Sequence, residues 1–307
     1  MKIYFSVPVV LILSLIVVLV CAAGSFADVR LPAVISDNMV LQQGGTVPIW
    51  GWAEPGEKVK VSGSWQNREW QTTADKNGKW MVKIQTPKAG GPYELTIKGK
   101  NEITLDNVLV GEVWVCSGQS NMQFILRSTR DKKEIKAADY PEIRLFTVKQ
   151  AIADEPQDDC EGRWLVCNPQ TAAHFSAVAY FFGQQLHKEL NVPVGLIHTS
   201  WGGSPAEAWT KKSVLESDPQ LKPFLTLYAD MLAKYPEAKK EYERKINKWK
   251  KAAARARSQG GKVPPKPRRL NGPRKQRKPS GLYNAMLAPL MPYRIAGVIW
   301  YQGESNT

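Results

Sequence analysis

A serine at the end of an apolar run is the first candidate for chemistry in this chain of 307 residues. Residues 108–115 are apolar enough for a buried parallel strand, and the run ends in the letters CSGQSN, whose second serine is Ser120. A serine on a sharp strand-to-helix turn projects its hydroxyl from the carboxyl end of a sheet, where α/β folds bind ligands. Ser120 is therefore the predicted nucleophile, although a Gly-x-Ser turn also occurs often by chance.

Two later strand ends offer groups that could assist a serine. Residues 194–199 form an apolar run that stops at the letters SWGG, and residues 295–300 form another that stops at YQGE. Three strands that each end in a polar, glycine-containing loop predict a doubly wound α/β domain with its site at one sheet edge. Possible donors to an oxyanion are the backbone N–H groups of Gly202 and Gly203 and the side-chain amides of Gln302 and Asn306.

The chain before this domain has the pattern of a small β-domain. Residues 28–106 contain short alternating runs separated by Gly-Gly, Pro-Gly, Asn-Gly and Gly-Gly-Pro turns, which predict a β-sandwich of about 80 residues. Its tryptophans are interpreted as packing residues, with a sugar-stacking surface as the alternative; they are Trp50, Trp52, Trp65, Trp70 and Trp80. Residues 107–307 then alternate strands with helices, including a helix predicted over 172–190.

The first 27 residues are typical of a secretory signal peptide. Lys2 precedes an apolar run over 7–20, and small residues follow before a cleavage site after Ala27. A retained membrane anchor is the alternative, and Cys21 raises a lipoprotein reading that the bulky Val20 disfavours. The predicted location is therefore secreted or periplasmic, without stable membrane association after cleavage.

Export would allow a disulfide between Cys160 and Cys167, which would leave Cys116 as a small buried residue in the strand before Ser120. No Cys/His spacing indicates a zinc site, and neither a metal nor another cofactor is predicted.

The net charge of +14 is confined to one insertion. Residues 211–280 contain 21 Lys and Arg against 6 Asp and Glu, a local charge of +15, so the remainder sums to −1. Helical spacing is expected over 217–258, and residues 260–280 are predicted to form an exposed loop rich in Pro, Lys and Arg. A solvated flap beside the active site is preferred over a site for an anionic glycan, a membrane surface or nucleic acid, and no nucleic-acid partner is expected.

Four ordered blocks of the chain carry a family resemblance. They are residues 113–122 (VWVCSGQSNM), 198–209 (HTSWGGSPAEAW), 281–286 (GLYNAM) and 300–306 (WYQGESN). Together they resemble the sialate O-acetylesterase family, a carbohydrate-esterase branch of the SGNH hydrolases. The resemblance implies a flavodoxin-like α/β/α hydrolase domain with an accessory β-domain, and removal of acetyl groups from sugar hydroxyls; sialic acid, xylan and xyloglucan all fit as the acetylated carbohydrate.

The resemblance also implies roles for single residues. Ser120 resembles the nucleophile, and Glu304 falls where related esterases orient a histidine. Oxyanion donors are implied at the backbone N–H groups of Ser120 and Gly203 and at the side chain of Gln302 or Asn306. The remaining predicted pocket residues are Gln119, Asn121, Trp201 and Gly202.

The catalytic histidine of this family lies in an Asp-x-x-His block beyond the Gln-Gly-Glu block, whereas this sequence ends three residues after Glu304. None of His174, His187 and His198 matches it. We therefore expect an incomplete hydrolase domain, with an exposed sheet edge and with little activity and poor solubility as an isolated chain. A carbohydrate-binding protein without catalysis is the alternative function.

Overall fold

The computed structural model describes residues 28–270 and 272–306, so the predicted signal peptide lies outside the described residues. The β-rich first part has a two-stranded sheet, β2–β5, and a larger sheet in the order β4–β3–β6–β7, to which β1 adds in parallel at β7. Trp50, Trp70 and Trp80 are buried in its core, as the packing interpretation predicts. The strands are β1 Val40–Gln42, β2 Thr46–Trp52, β3 Lys58–Gly63, β4 Glu69–Thr73, β5 Lys79–Gln85, β6 Gly90–Lys98 and β7 Glu102–Gly118.

Strand β7 runs through the boundary at residues 106/107 that the change of pattern suggests. Its first half pairs antiparallel with β6, and its second half lies in the α/β sheet between two parallel neighbours. A strand of 17 residues can serve both sheets because the burial pattern changes along it, from alternating near Glu102 to almost continuous burial after Val108.

The sheet of the second part has the order β11–β7–β10–β8–β9, in which only the edge strand β9 is antiparallel. Every residue of β10 is buried, as expected for a central parallel strand covered on both faces. This mixed sheet with its helices is an α/β fold, as the sequence predicts. The strands are β8 Tyr140–Thr147, β9 Trp164–Cys167, β10 Val194–Ser200 and β11 Gly297–Tyr301.

The helix predicted over 172–190 is two helices. Asn168 caps the first, with its side chain accepting from the N–H groups of Gln170 and Thr171, and Ser176 caps the second. The side chains of Asn168 and Ser176 each accept hydrogen bonds from backbone N–H groups at the start of a helix. Two separate helices therefore form in place of one continuous helix. The α-helices are α1 Ser120–Gln123, α2 Lys132–Ala137, α3 Pro169–Ala173, α4 Ala177–Leu190, α5 Lys212–Ser217 and α6 Lys222–Ser258.

The disulfide between Cys160 and Cys167 is absent, because both residues are free cysteines. Cys167 is buried in the core beside α4, whereas Cys160 packs against the core that the two parts share. Burial raises the pKa of the Cys160 and Cys167 thiols to about 12, so both thiols are protonated and inert near neutral pH.

A buried arginine joins the two parts of the chain. The guanidinium of Arg144 in β8 donates to the backbone oxygens of Asn38 and Asn107, at 3.1 and 3.0 Å, and to Asn107 Oδ1. Its side chain therefore links the turn before β1 to the middle of β7. Burial lowers the pKa of Arg144 to about 10, which still leaves it charged at neutral pH.

Most of the basic insertion forms what we call the basic arm, residues 222–278, comprising α6 and a segment that returns along it. Only Ala253 of the 37 residues in α6 is buried. The return segment has little regular structure apart from one short turn of helix, Lys275–Arg277. It leads into residues 280–290, which rejoin the core through Leu282 and Met286.

Candidate active site

Three strands end at the same height and bring the predicted loops together. Gly118, at the end of β7, is opposite Ser200 of β10 on one side and opposite Tyr301 of β11 on the other. The chain therefore leaves the sheet at the same level three times, and residues 119–121, 201–204 and 302–306 form one edge. This placement of the three loops is the one that the sequence predicts.

Gly118 is required where β11 passes the turn that carries Ser120. Its φ is +143°, and a Cβ atom built on it would lie 2.1 Å from the carbonyl oxygen of Tyr301. The next residue closes the contact, since the N–H of Gln119 donates to the same Tyr301 oxygen at 2.9 Å. Any side chain at position 118 would push β11 away and change the position of Ser120.

Ser120 is the first residue of α1, and its side chain is exposed. Gly202 is its neighbour, because a Cβ atom at Gly202 would lie 3.4 Å from Ser120 Cβ. Within residues 28–270 and 272–306, neither the hydroxyl nor the backbone N–H of Ser120 has a hydrogen-bond partner. Both groups are therefore accessible to a ligand that binds at this edge.

The two glycines after β10 have different roles. Gly202 is not available as a donor, because its N–H donates to Gln123 Oε1 at 2.7 Å. Gly203 adopts a φ of +73°, and its N–H has no partner among the described residues. Of the two candidate N–H groups in the loop, only that of Gly203 is free for an oxyanion.

Gln302 and Asn306 bind each other rather than the space over Ser120. Gln302 Nε2 donates to Asn306 Oδ1 at 2.6 Å and lies 3.5 Å from the carbonyl oxygen of Ser204. Asn306 Nδ2 donates to Glu207 Oε2 at 3.0 Å, and Asn306 Oδ1 also accepts from the N–H of Ala206. In this arrangement the two amides tie the third loop to the second.

Gln119, Asn121 and Glu304 connect the turn that carries Ser120 to the third loop. Gln119 is almost fully buried, and its Oε1 accepts from the N–H groups of Gly303 and Ser305, at 3.3 and 3.2 Å. Gln119 therefore shapes the loop instead of facing the pocket. Asn121 Nδ2 donates to Glu304 Oε1 at 2.6 Å, which places that carboxylate beside the residue after Ser120.

Trp201 supports the second loop through its backbone. Its N–H donates to the carbonyl oxygen of Gly118 at 3.2 Å, and its carbonyl oxygen accepts from Ser204 Oγ at 2.7 Å. Ser204 Oγ in turn accepts from the indole N–H of Trp209 at 2.8 Å. These contacts hold the loop that carries Gly203 against the end of β7.

None of the three histidines is bonded to Ser120. His198 Nε2 lies 2.6 Å from Ser200 Oγ, and burial lowers the pKa of His198 to about 4, so the ring is neutral at pH 7. His187 Nδ1 lies 2.8 Å from the carbonyl oxygen of Val192, and His174 is exposed after α3. Within the described part of the chain, Ser120 therefore has no histidine base in hydrogen-bond contact.

The sequence did not indicate three contacts made by residues outside the four blocks. Gln123 holds the N–H of Gly202, and Gln276 Nε2 of the basic arm lies 3.4 Å from the carbonyl oxygen of the same residue. Arg277 Nη2 lies 3.4 Å from the carbonyl oxygen of Ser305. The return segment thus lies beside the site, as expected for a flap, but no periodicity could have shown which of its residues touch the loops.

The described residues contain no group of three or more His, Cys, Asp or Glu side chains placed to hold a metal ion. In the same part of the chain, no helix combines the length and the apolar character that crossing a bilayer requires.

Comparison with known proteins agrees with the geometry. A family model described as carbohydrate esterase, sialic acid-specific acetylesterase, matches residues 110–254. The sialate O-acetylesterase of Rattus norvegicus is 34% identical over 97% of this chain and 56% of its own length, and that of Homo sapiens is 31% identical over 96% and 53%. The chain thus spans about half the length of these curated relatives.

A solved structure extends the similarity to the fold. The crystal structure of a carbohydrate acetylesterase from Xanthomonas citri superposes with a TM-score of 0.69 at 30% identity, covering 91% of this chain and 52% of the other. Similarity in sequence and in fold along nearly all of its length shows that this chain belongs to the sialate O-acetylesterase family of carbohydrate esterases.

Proposed function

We propose that the chain is a carbohydrate O-acetylesterase that uses Ser120 as its nucleophile. The observation that carries the proposal is the exposed Ser120 hydroxyl beside Gly202, with the N–H groups of Ser120 and Gly203 both free at the same sheet edge. The names of its relatives support an acetylated sugar as substrate. The sequence of the first 27 residues supports secretion or a periplasmic location.

The proposed reaction has two steps. Ser120 Oγ attacks the carbonyl carbon of an acetyl ester, and the resulting oxyanion accepts from the two free N–H groups. The sugar leaves as an alcohol, and water then releases acetate from the acyl-enzyme. Loss of one oxyanion donor costs roughly two to three orders of magnitude in kcat in well-studied serine hydrolases.

The described residues place no base in hydrogen-bond contact with the Ser120 hydroxyl. With neither histidine nor carboxylate bonded to its hydroxyl in the described residues, Ser120 stays protonated at neutral pH. We infer slow turnover by the isolated chain, since loss of one triad member removes most of the acceleration and leaves the oxyanion and binding contributions.

The test is hydrolysis of 4-nitrophenyl acetate and of an acetylated sugar by the chain of residues 28–307. Ser120→Ala should abolish turnover, whereas Ser128→Ala, which changes another exposed serine of the same stretch, should not alter it. Imidazole hydrolyses 4-nitrophenyl acetate by itself, so its effect is measured after subtraction of the rate without protein; the corrected rate should rise for the unsubstituted chain and not for Ser120→Ala. Equal rates in the two variants would contradict the proposed nucleophile.

One observation favours the alternative, carbohydrate binding without catalysis. A groove of about 450 Å³ is lined by Trp50, Trp52 and Trp80 of the β-rich part and by Asp75 and Asp158. Of the three rings only that of Trp52 is half-exposed, so the stacking surface is small. Binding of a neutral oligosaccharide that Trp52→Ala abolishes and Ser120→Ala leaves intact would support this function.

A further inference from the structure

Helix α6 carries four aromatic residues at a spacing of seven. Tyr228, Tyr235, Tyr242 and Trp249 are all half-buried, and a spacing of seven residues places them on one face of the helix. Such a stripe is commonly a packing seam, and here the return segment is the element that packs on it.

The return segment covers the stripe only in places. At one end, Trp249 donates its indole N–H to the carbonyl oxygen of Pro264 at 2.8 Å, and the ammonium of Lys266 lies 5.5 Å from the Trp249 ring. Further along, Gly272 packs directly on the ring of Tyr235. Between these contacts, α6 and the return segment together line an open groove, and Tyr242 lies beside it.

The groove has a volume of about 660 Å³ and an unusual combination of side chains. Tyr235 and Tyr242 line it together with three cations, Lys239, Lys266 and Arg269. One carboxylate, Glu243, also lines it, yet none of the three cations forms an ion pair with a carboxylate among the described residues. A groove of this kind offers flat aromatic faces and charge-assisted donors at the same time.

The charge continues beyond the groove toward the active site. Residues 260–280 contain eight Lys and Arg and no Asp or Glu. The same segment reaches the site, where Gln276 contacts Gly202 and Arg277 contacts Ser305. A long polyanion seated in the groove could therefore follow the return segment to the edge where Ser120 lies.

We propose that the basic arm holds a second binding site, separate from the Ser120 pocket, for an anionic polysaccharide such as a polyuronate. The Tyr242 ring stacks on a sugar face, and Lys239, Lys266 and Arg269 bind the carboxylates. The choice of a polysaccharide over another polyanion rests on the proposed function, whereas the groove itself does not depend on the chemistry of Ser120. Nucleic acid and anionic membranes are tested as competing ligands.

The experiment is isothermal titration calorimetry of the chain of residues 28–307 with polygalacturonate at low salt. The groove variant is Lys239→Gln with Lys266→Gln and Arg269→Gln. The matched control is Lys240→Gln with Lys248→Gln and Lys251→Gln, which removes the same charge from exposed positions of the same arm outside the groove. We expect the groove variant to weaken binding about tenfold and the control less than about threefold, since only the first loses direct contacts.

A second pair of variants tests the aromatic contribution. Tyr242→Leu should weaken polygalacturonate binding about fivefold, whereas Tyr242→Phe should bind like the unsubstituted chain because it retains the ring face. Equal weakening by the groove and control variants, or equal binding of neutral xylan, would overturn the proposal. Tighter binding of duplex DNA or of phosphatidylserine vesicles that depends on the same residues would overturn it too.

Ser120→Ala separates the two proposals. It should bind polygalacturonate with unchanged affinity, because Ser120 lies outside the groove. If the chain binds polygalacturonate but has no esterase activity, the second site is supported and only the proposed function is contradicted. Esterase activity without binding that depends on the groove residues would support the proposed function and contradict the second site.

Discussion

The active-site edge and the basic arm hold their functional groups in opposite ways. At the edge, strand pairing fixes the three loops, and Gln119, Gln123 and Asn121 connect them. In the arm, only Ala253 of α6 is buried, and most charged side chains are exposed. Attack on an ester requires groups fixed within a fraction of an ångström, whereas binding a flexible polyanion tolerates mobile cations.

The largest difference between the two regions should appear at a pair of glycines. Gly118→Ala should lower the free energy of unfolding by about 3 kcal/mol or more, because its Cβ would meet the Tyr301 carbonyl. Gly260→Ala, at the turn of the arm, should cost only about 1 kcal/mol, since its φ is +65° but nothing lies within 4 Å of the new methyl group. Urea unfolding measures the free energy of both variants. Equal losses would contradict the predicted difference between the active-site edge and the arm.

The loss of stability at low pH should come from His198 at the edge and not from the arm. Burial lowers the folded-state pKa of His198 to about 4 from an ordinary value of 6.5, so the unfolded chain binds a proton first as the pH falls. Stability from this residue is full above pH 6.5 and is lost toward pH 4, by up to roughly 3 kcal/mol. The arm has no histidine.

Unfolding measured between pH 4 and 7 tests this prediction. His198→Gln should flatten the pH dependence, and His174→Gln, which changes an exposed ring, should leave it unchanged. An unchanged slope in His198→Gln would show that carboxylates dominate instead.

The two regions meet at Gly202, whose N–H donates to Gln123 and whose carbonyl oxygen contacts Gln276, so their contributions can be compared there. Gln123→Leu leaves the Gly202 N–H without its acceptor and should cost about 1 kcal/mol of stability and about tenfold in ester hydrolysis. Gln276→Leu removes only a long contact from the arm and should cost less than threefold in rate. The reverse order would make the arm part of the catalytic scaffold.

The smallest effect is expected on the exposed face of α6. Leu227 is 63% exposed, so Leu227→Ser should change the free energy of unfolding by less than about 0.5 kcal/mol. Thermal or urea unfolding measures the change. A loss above about 1 kcal/mol would show that this face of the arm packs against another surface in solution.

The sequence alone was enough to identify the strands that end at the active-site edge and the loops that follow them. Continuous apolar runs predict parallel strands, so β7, β10 and β11 and the polar loops after them could be identified from the sequence, and Ser120 followed from its place after the first run. The sequence did not show that β11 would be a largely exposed strand, paired within the described residues with β7 alone. Four blocks in order were also enough to indicate the family. Element ends were less certain, because caps such as those at Asn168 and Ser176 depend on single side chains.

Only the tertiary structure decided how the loops use their polar groups. Gln123 takes the Gly202 N–H, and Gln302 turns to Asn306, because these choices depend on distances between segments far apart in the chain. The same holds for the free Cys160 and Cys167, for the contacts of Arg144 with Asn38 and Asn107, and for the groove that the return segment leaves open over Tyr242. The spacing of apolar residues indicates which face of an element is buried. A hydrogen bond between loops that are far apart in the chain leaves no such periodic pattern in the sequence.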